Sequence, residues 1–435
     1  MITRKTEPQK AEIPPKEGTY TFKEACDILL YVRVRSLSRE RRRTSEIIPH
    51  AFREAYFSLF SGPEPETLHA DLYRMLIDEG TDVIVQQLKE YNHRRKRLLR
   101  EIRGKIEVRS LKRCEEAAKL RVVASDAGNN GVDLRSAFIP LYASTALVAE
   151  GWRIMDEPIF RAGMPDVWAD EFRTEQRESL LAFKIQCDVT EEAVERWEPK
   201  AVLMDGSLLI NFWLSPLPDS TEDYINDFRE ALISSVGLLH YCYERDIPIV
   251  GFVKRTRINR ICRKFRVPKL RDTALMDLIL RLGEYTLPED EPMKGRIVER
   301  YRRKAEELGI PSRDVAEFTS IYSSYIRTGL TTPFRLEIPR YCLDRLEDLC
   351  GLVFTTSEEE RGIPFSIGEA DRLTKVTTSI SNIRTLMIYS KSLDLVRKGE
   401  MRMQDLNLLA LQHGEPWTLT DRDYISGLLG GEQGG

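Results

Sequence analysis

The sequence predicts an α/β fold in which a mixed sheet is flanked by helices and preceded by a helical region. Three observations predict it. Short apolar runs at 121–126, 132–141 and 144–152 lie close enough together for an antiparallel meander. Further on, a helical pattern over about 168–197 feeds an apolar run ending at Asp205, and another over about 221–245 feeds the run 247–253. Ahead of these, residues 20–117 read as mainly helical, with apolar patches at 25–30 and 72–77 separated by the breaker Ser61-Gly62-Pro63. Strands first, then strand–helix–strand alternation, is the order of a mixed sheet covered by helices.

Residues 1–18 are polar and contain Pro8, Pro14 and Pro15, the composition of a disordered end. The helical region carries two strongly basic stretches, Arg39-Glu40-Arg41-Arg42-Arg43 and 93–100, for which a solvated helix face is the plain reading. The core is expected over 120–395. Within it, 255–315 is polar and reads as a helical insertion, short strands return at 321–326, 334–338 and 351–355, and 366–395 reads as helix. Residues 396–435 form a C-terminal extension whose Gly-rich end, 430–435, suits a flexible tail.

A chain of 435 residues can bury a large core, and 42% apolar with 31% charged residues is a globular composition. The formal net charge of −3 gives no overall attraction to nucleic acid, so any such binding rests on local patches. The seven cysteines are scattered with no CxxC pair, and with only five histidines they argue against structural zinc and for a reducing compartment. No apolar run reaches membrane-spanning length, and Met1-Ile2-Thr3-Arg4-Lys5 lacks the apolar core of a signal peptide. A cytoplasmic protein with no membrane contact is expected.

Two strands end in an aspartate followed by small residues: Arg121-Val122-Val123-Ala124-Ser125-Asp126-Ala127-Gly128 and Ala201-Val202-Leu203-Met204-Asp205-Gly206-Ser207. A rigid strand delivering a carboxylate beside an open turn is a way to place oxygen ligands for a hard divalent cation. An ordinary strand-end aspartate and a plain Asp-Gly turn are the alternatives. Neither turn is a phosphate loop, since no GxxxxGK[ST] is present.

The order of elements resembles the RNase H-like fold, in which carboxylates from the first strand, a later strand and flanking helices surround metal ions. The chain also resembles the NurA nucleases. That resemblance rests on 123–129 and 202–208, which contain the two aspartates, on Val250-Gly251-Phe252-Val253-Lys254-Arg255, and on Ile363-Pro364-Phe365-Ser366-Ile367-Gly368-Glu369-Ala370-Asp371. It spans roughly 120–390. It implies a Mn²⁺-dependent deoxyribonuclease, with Mg²⁺ as the alternative ion, acting as a homodimer on single- or double-stranded DNA ends. A 5′-to-3′ exonuclease in end resection beside a HerA-type hexameric ATPase is the activity it implies, with single-strand endonuclease action as a further one.

On this resemblance Asp126 and Asp205 are metal ligands, although Ala127 stands where the family usually has glycine. A further acidic ligand is expected from the helix between them. Glu178, Leu181, Ile185, Asp188 and Glu192 share one stripe there, and Glu178 and Asp188 both stay open, with a solvated carboxylate as the third reading. Asp188 fits the family's spacing but stands where it typically has glutamate. Asp371 stands where the family often has histidine, and an exposed helix aspartate is its alternative. Lys254 follows its strand directly and is placed to reach a scissile phosphate. It opens the run 254–266, whose seven basic residues, Arg255 and Arg257 among them, suit a phosphate-backbone track or a solvated face. Phe212, Trp213 and Phe252 suit base stacking, but core packing is the expectation. Two other functions stay open: a non-catalytic DNA-binding scaffold for a translocase, and an actin-like phosphotransferase, which lacks its Gly-rich loop here.

Overall fold

A computed structural model of the chain describes Met75 and residues 80–102, 104–134, 137–169, 173–256, 258–267, 270–290 and 295–402. The expected disordered start, the basic stretch 39–43 and the Gly-rich tail therefore lie outside the described residues, as does Arg257. The chain divides into two units, Met1–Glu101 and Ile102–Gly435. In the first, the long helix α1 (Gly80–Ile102) begins, with Asp82 in its first turn and Arg100 in its last, each charge favourable to the helix dipole.

The second unit is built on one large mixed sheet. Its elements run β1 (Val108–Ser110), α2 (Glu115–Ala118), β2 (Arg121–Asn129), β3 (Val132–Asp133), β4 (Ala137–Ile139), β5 (Tyr142–Glu150), β6 (Arg153–Ile154), β7 (Ile159–Ala162), β8 (Trp168–Ala169), α3 (Thr174–Trp197) and β9 (Ala201–Asp205). They continue through α4 (Glu222–Glu244), β10 (Ile249–Val253), α5 (Arg260–Lys264), α6 (Asp272–Ile279), β11 (Glu284–Thr286), β12 (Glu289–Asp290), α7 (Gly295–Glu307) and α8 (Ser312–Thr319). The unit closes with β13 (Ile321–Ile326), β14 (Phe334–Pro339), α9 (Leu346–Thr355), α10 (Phe365–Thr374) and α11 (Thr378–Arg397).

The centre of the sheet has the order β5-β2-β9-β10. β5 runs antiparallel to β2, while β9 runs parallel to both β2 and β10, with Val123 opposite Val202 and Met204 opposite Gly251. This is the RNase H-like arrangement. Antiparallel β14, β13, β11 and β1 extend it beyond β10. Because β2, β9 and β10 are covered on both faces, they read as continuous apolar runs rather than alternating ones. Val123, Val202, Met204 and Ile249 pack under α3, α4, α7 and α8, whereas Val122, Ala124, Leu203 and Phe252 pack under α9 and α10. The strand period of two then carries Asp126, Asp205 and Lys254 to the α10 face.

Three sequence expectations need correction. The run 132–141 is not a meander strand: β3 and β4 form a small separate sheet with β8, and β5 and β7 continue the meander instead. Pro140 has no backbone N–H to donate to a central ladder. The insertion 255–315 is not wholly helical, since β11 and β12 both pair with β13. Two- and three-residue strands are too short to show a period. Finally, 351–355 is the end of α9, whose Leu346, Leu349, Cys350 and Val353 are buried at helical spacing. A short apolar run fits either a strand or a buried helix.

Candidate active site

Asp126 sits within β2, where its carboxylate accepts hydrogen bonds from the Ala127 amide (2.8 Å) and from Thr374 Oγ1 on α10 (3.0 Å). Ser144 Oγ, on the neighbouring strand, donates to its carbonyl at 2.7 Å. Asp205 ends β9. Its carbonyl accepts from Gln186 Nε2 (3.0 Å), and the same amide donates to the Ser125 carbonyl (3.2 Å), so one α3 side chain ties the two strands together.

The turn after Asp205 is fixed from below. Gly206 has φ 97°, a left-handed conformation that glycine adopts without strain. Ser207 Oγ and the Leu208 amide both donate to Glu337 Oε2, at 2.8 and 3.0 Å. Glu337 is fully buried on β14 and paired with buried Arg335 at 2.6 Å. A side chain at Gly251 would bring its Cβ within 2.8 Å of the Gly206 carbonyl, so the close approach of β10 to this turn requires glycine there.

Lys254, the first residue past β10, places its Nζ 2.6 Å from Asp205 Oδ2 and 3.0 Å from Asp371 Oδ1. Asp371 projects from α10, which starts after Pro364, and its side chain is 46% exposed. One carboxylate oxygen from each of Asp126, Asp205 and Asp371 lies within 4.8 Å of the others. Burial, with the like charge of Asp205 and then of Asp371 added, pushes the Asp126 carboxyl up to about 8 against the pull of Lys254. Burial also raises Asp205, opposed by Lys254 and by a hydrogen bond from Asp126. For Lys254, burial works downward, but pairing with Asp205 outweighs it and holds the ammonium above the usual lysine value.

These residues fit a divalent cation. All three donors are carboxylate oxygens, the set that hard ions prefer over zinc. If every group ionises, three carboxylates against one ammonium leave a net charge of two negatives, which one such ion would balance. A cation between them would offset the burial and like charge that raise the Asp126 carboxyl.

Glu178 and Asp188, the two open candidates on α3, do not join this cluster. Glu178 is buried and accepts from Asn129 Nδ2 (2.9 Å), the Gly131 amide (3.2 Å) and the Leu141 amide (2.6 Å), which pins the loop around β3 and β4. Asp188 pairs with Lys184 at 3.2 Å and Arg161 at 3.9 Å. Arg255 is exposed beyond β10. Further along the basic run, Lys264 and Arg260 pair with Glu289, at 2.9 and 3.8 Å. Sequence reading missed Gln186, Thr374 and Glu337. A buried amide on α3 and a threonine one residue beyond a short helix turn from Asp371 carry no motif. Phe252 is buried as expected, but Phe212 and Trp213 are 80% and 57% exposed, so the core-packing expectation fails for both.

A family model described as the NurA domain matches residues 120–376, the segment that contains all four residues of the cluster. The chain belongs to the NurA family. The NurA nuclease of Sulfolobus solfataricus has the same fold: it is 13% identical, with a TM-score of 0.52 over 77% of this chain and 99% of that one. A NurA bound to dAMP and manganese is 13% identical over 70% of this chain and 94% of its own, with a TM-score of 0.43. The endonuclease V of Ciona intestinalis, in complex with inosine-containing DNA, is 11% identical over 66% and 96%, with a TM-score of 0.28. The likeness to these last two is too slight to carry an argument. No curated protein matches the chain. As a member of the NurA family the chain is a nuclease. No helix among the described residues is long and apolar enough to cross a membrane.

Proposed function

We propose that this NurA-family nuclease is a deoxyribonuclease that uses Mn²⁺, with Mg²⁺ as the alternative, held by Asp126, Asp205 and Asp371. The observation that carries the reading is the placement of three mutually close carboxylates and one ammonium, on neighbouring strands and the helix α10 beside them. Bound there, a divalent ion supplies a lowered water pKa for the attacking hydroxide and charge compensation for the leaving oxygen. The chain's own residues do the rest. Lys254 exchanges its carboxylate partners for a non-bridging phosphate oxygen and holds the scissile group at Asp205. Thr374 and the Ala127 amide orient the Asp126 carboxylate, and Gln186 keeps the ends of β2 and β9 in register. Arg255, exposed beyond β10, would hold a backbone phosphate without reading sequence, and Arg257, outside the described residues, is proposed for the same role.

The family resemblance supports finer statements in the same proposal: 5′-to-3′ degradation of DNA ends, a homodimer, and a HerA-type hexameric ATPase as partner. The free thiols among the described residues support a cytoplasmic location. One observation favours a second reading, a DNA-binding scaffold that does not cut. The α3 residue directed at the two central strands is Gln186, a neutral amide, where the resemblance implies a carboxylate.

Cleavage of linear DNA labelled at one end or the other, single- and double-stranded, tests the proposal. The assay is run with Mn²⁺, Mg²⁺ or EDTA, with and without the ATPase. The expected result is metal-dependent degradation that Asp126→Ala and Asp205→Ala each abolish. Activity surviving both substitutions contradicts the site assignment. No cleavage by the wild type under any metal, with DNA still bound, selects the scaffold.

A further inference from the structure

We propose that Phe212, Trp213 and the cleft behind them form a stacking subsite for a nucleobase of single-stranded DNA next to the scissile phosphate. The inference rests on the deoxyribonuclease reading above and adds to it a place for the base.

The segment that carries the two aromatics is otherwise built as core. Leu208, Leu209, Ile210 and Leu214 are each at most 8% exposed, while Phe212 and Trp213 between them face outward. Leaving two large aromatic side chains in water forgoes roughly 1.5–3 kcal/mol each, so their exposure on an otherwise buried segment calls for a reason. The turn is also held firmly. Arg173 donates to the Trp213 carbonyl and, at 3.1 Å, to the Ser215 carbonyl, and the Tyr224 hydroxyl donates to the Leu214 carbonyl at 3.1 Å. A rigid aromatic presented to solvent stacks a base with little further loss of conformational freedom.

Trp213 walls a cleft of about 400 Å³ whose lining also includes Asp205, a ligand of the proposed metal site. That volume lies within the roughly 300–1,000 Å³ typical of small-molecule sites. The wall chemistry identifies the occupant. Among the described residues no lysine or arginine lines the cleft, and Glu175 does, so a phosphate is disfavoured there. Gln176, Ser179 and Asn211 offer neutral donors and acceptors that suit base edges. Lys254, which does not line the cleft, places its Nζ 2.6 Å from Asp205 Oδ2. The base would therefore lie against Trp213 while its phosphate meets the ammonium. Such an arrangement favours strands whose bases are already unstacked, because a paired base would have to leave its duplex.

The test is equilibrium binding of short fluorescent single-stranded oligonucleotides to the full chain in EDTA. One abasic residue is moved along the oligonucleotide. One position is expected to weaken wild-type binding by about tenfold, within the range of single base–aromatic stacks. Trp213→Leu should weaken the intact oligonucleotide by the same factor and remove the penalty at that abasic position. Trp213→Tyr, which keeps a stacking face, should restore both. A blunt duplex should respond less to either substitution. Wild-type affinity in a Phe212→Leu/Trp213→Leu variant, or an abasic penalty that persists in it, overturns the proposal. So does a change of oligomeric state in sedimentation with oligonucleotide binding intact, which would assign the pair to a protein interface. The nuclease reading fails separately, through absence of cleavage by the wild type with Mn²⁺ or Mg²⁺.

Discussion

The acidic residues on the two faces of the sheet are treated in opposite ways. On the α3 face, every carboxylate that sequence reading singled out is satisfied by the protein: Glu178 by three N–H donors, Asp188 by Lys184 and Arg161. On the α10 face, Asp126, Asp205 and Asp371 share the single ammonium of Lys254, and burial holds Asp126 far above a normal carboxylate. Buried charge is costly unless paired. A cluster with one ammonium for three carboxylates among the described residues therefore suits a cation, whereas a satisfied carboxylate holds structure. The number of acidic residues is a poorer guide than their pairing.

The sharpest test of the contrast removes the shared ammonium. Lys254→Met should lower cleavage by roughly a hundredfold, as for loss of one preorganised charged donor. Metal affinity, read by Mn²⁺ titration, should not weaken, because a repelling cation has gone. A parallel loss of both would make Lys254 a support for the carboxylates rather than a phosphate contact. Next in size is Glu178→Ala, which leaves three partly buried hydrogen-bond donors without their acceptor. It should cost at least about 2 kcal/mol in denaturant unfolding. Metal binding by the folded fraction should be unchanged.

The third prediction concerns pH. With Asp126 raised from 3.8 to about 8 in the folded protein, the folded state holds a proton that the unfolded chain has released across that interval. Stability without metal should therefore fall as pH rises from about 4 to about 8, and thermal melts in EDTA should record it. Asp126→Asn should flatten the slope and raise Tm at the alkaline end, and added Mn²⁺ should reverse the trend. The smallest effect belongs to Asp188→Asn, which loses two partly exposed ion pairs worth about 0–1 kcal/mol and should leave both melts and cleavage near wild type.

The central strands were legible in the sequence because β2, β9 and β10 are buried on both faces and read as unbroken apolar runs. Asp126 and Asp205 stand out at their ends for the same reason. Asp371 was legible only through the family resemblance, since a half-exposed helix aspartate is an ordinary feature, whereas Lys254 also stood out by following its strand directly at the head of a basic run. Gln186 and Glu337 were not legible at all. Each acts through hydrogen bonds that reach across many residues of sequence, 61 in the case of Gln186 to Ser125 and 130 for Glu337 to Ser207. The small sheet of β3, β4 and β8 was missed because strands of two or three residues have no period to read. Phe212 and Trp213 were misjudged because exposure of a large aromatic is a tertiary outcome, decided here by how Arg173 and Tyr224 fasten the turn.

The central claim is that the underpaired cluster, and not the satisfied carboxylates of α3, receives the cation. Mn²⁺ binding followed by loss of the free-ion electron paramagnetic resonance signal tests it without any need for turnover. The wild type and Glu178→Gln should bind with similar affinity, and Asp205→Ala should lose that binding. Equal Mn²⁺ binding by wild type and Asp205→Ala, or loss of binding in Glu178→Gln with its fold intact, would contradict the account.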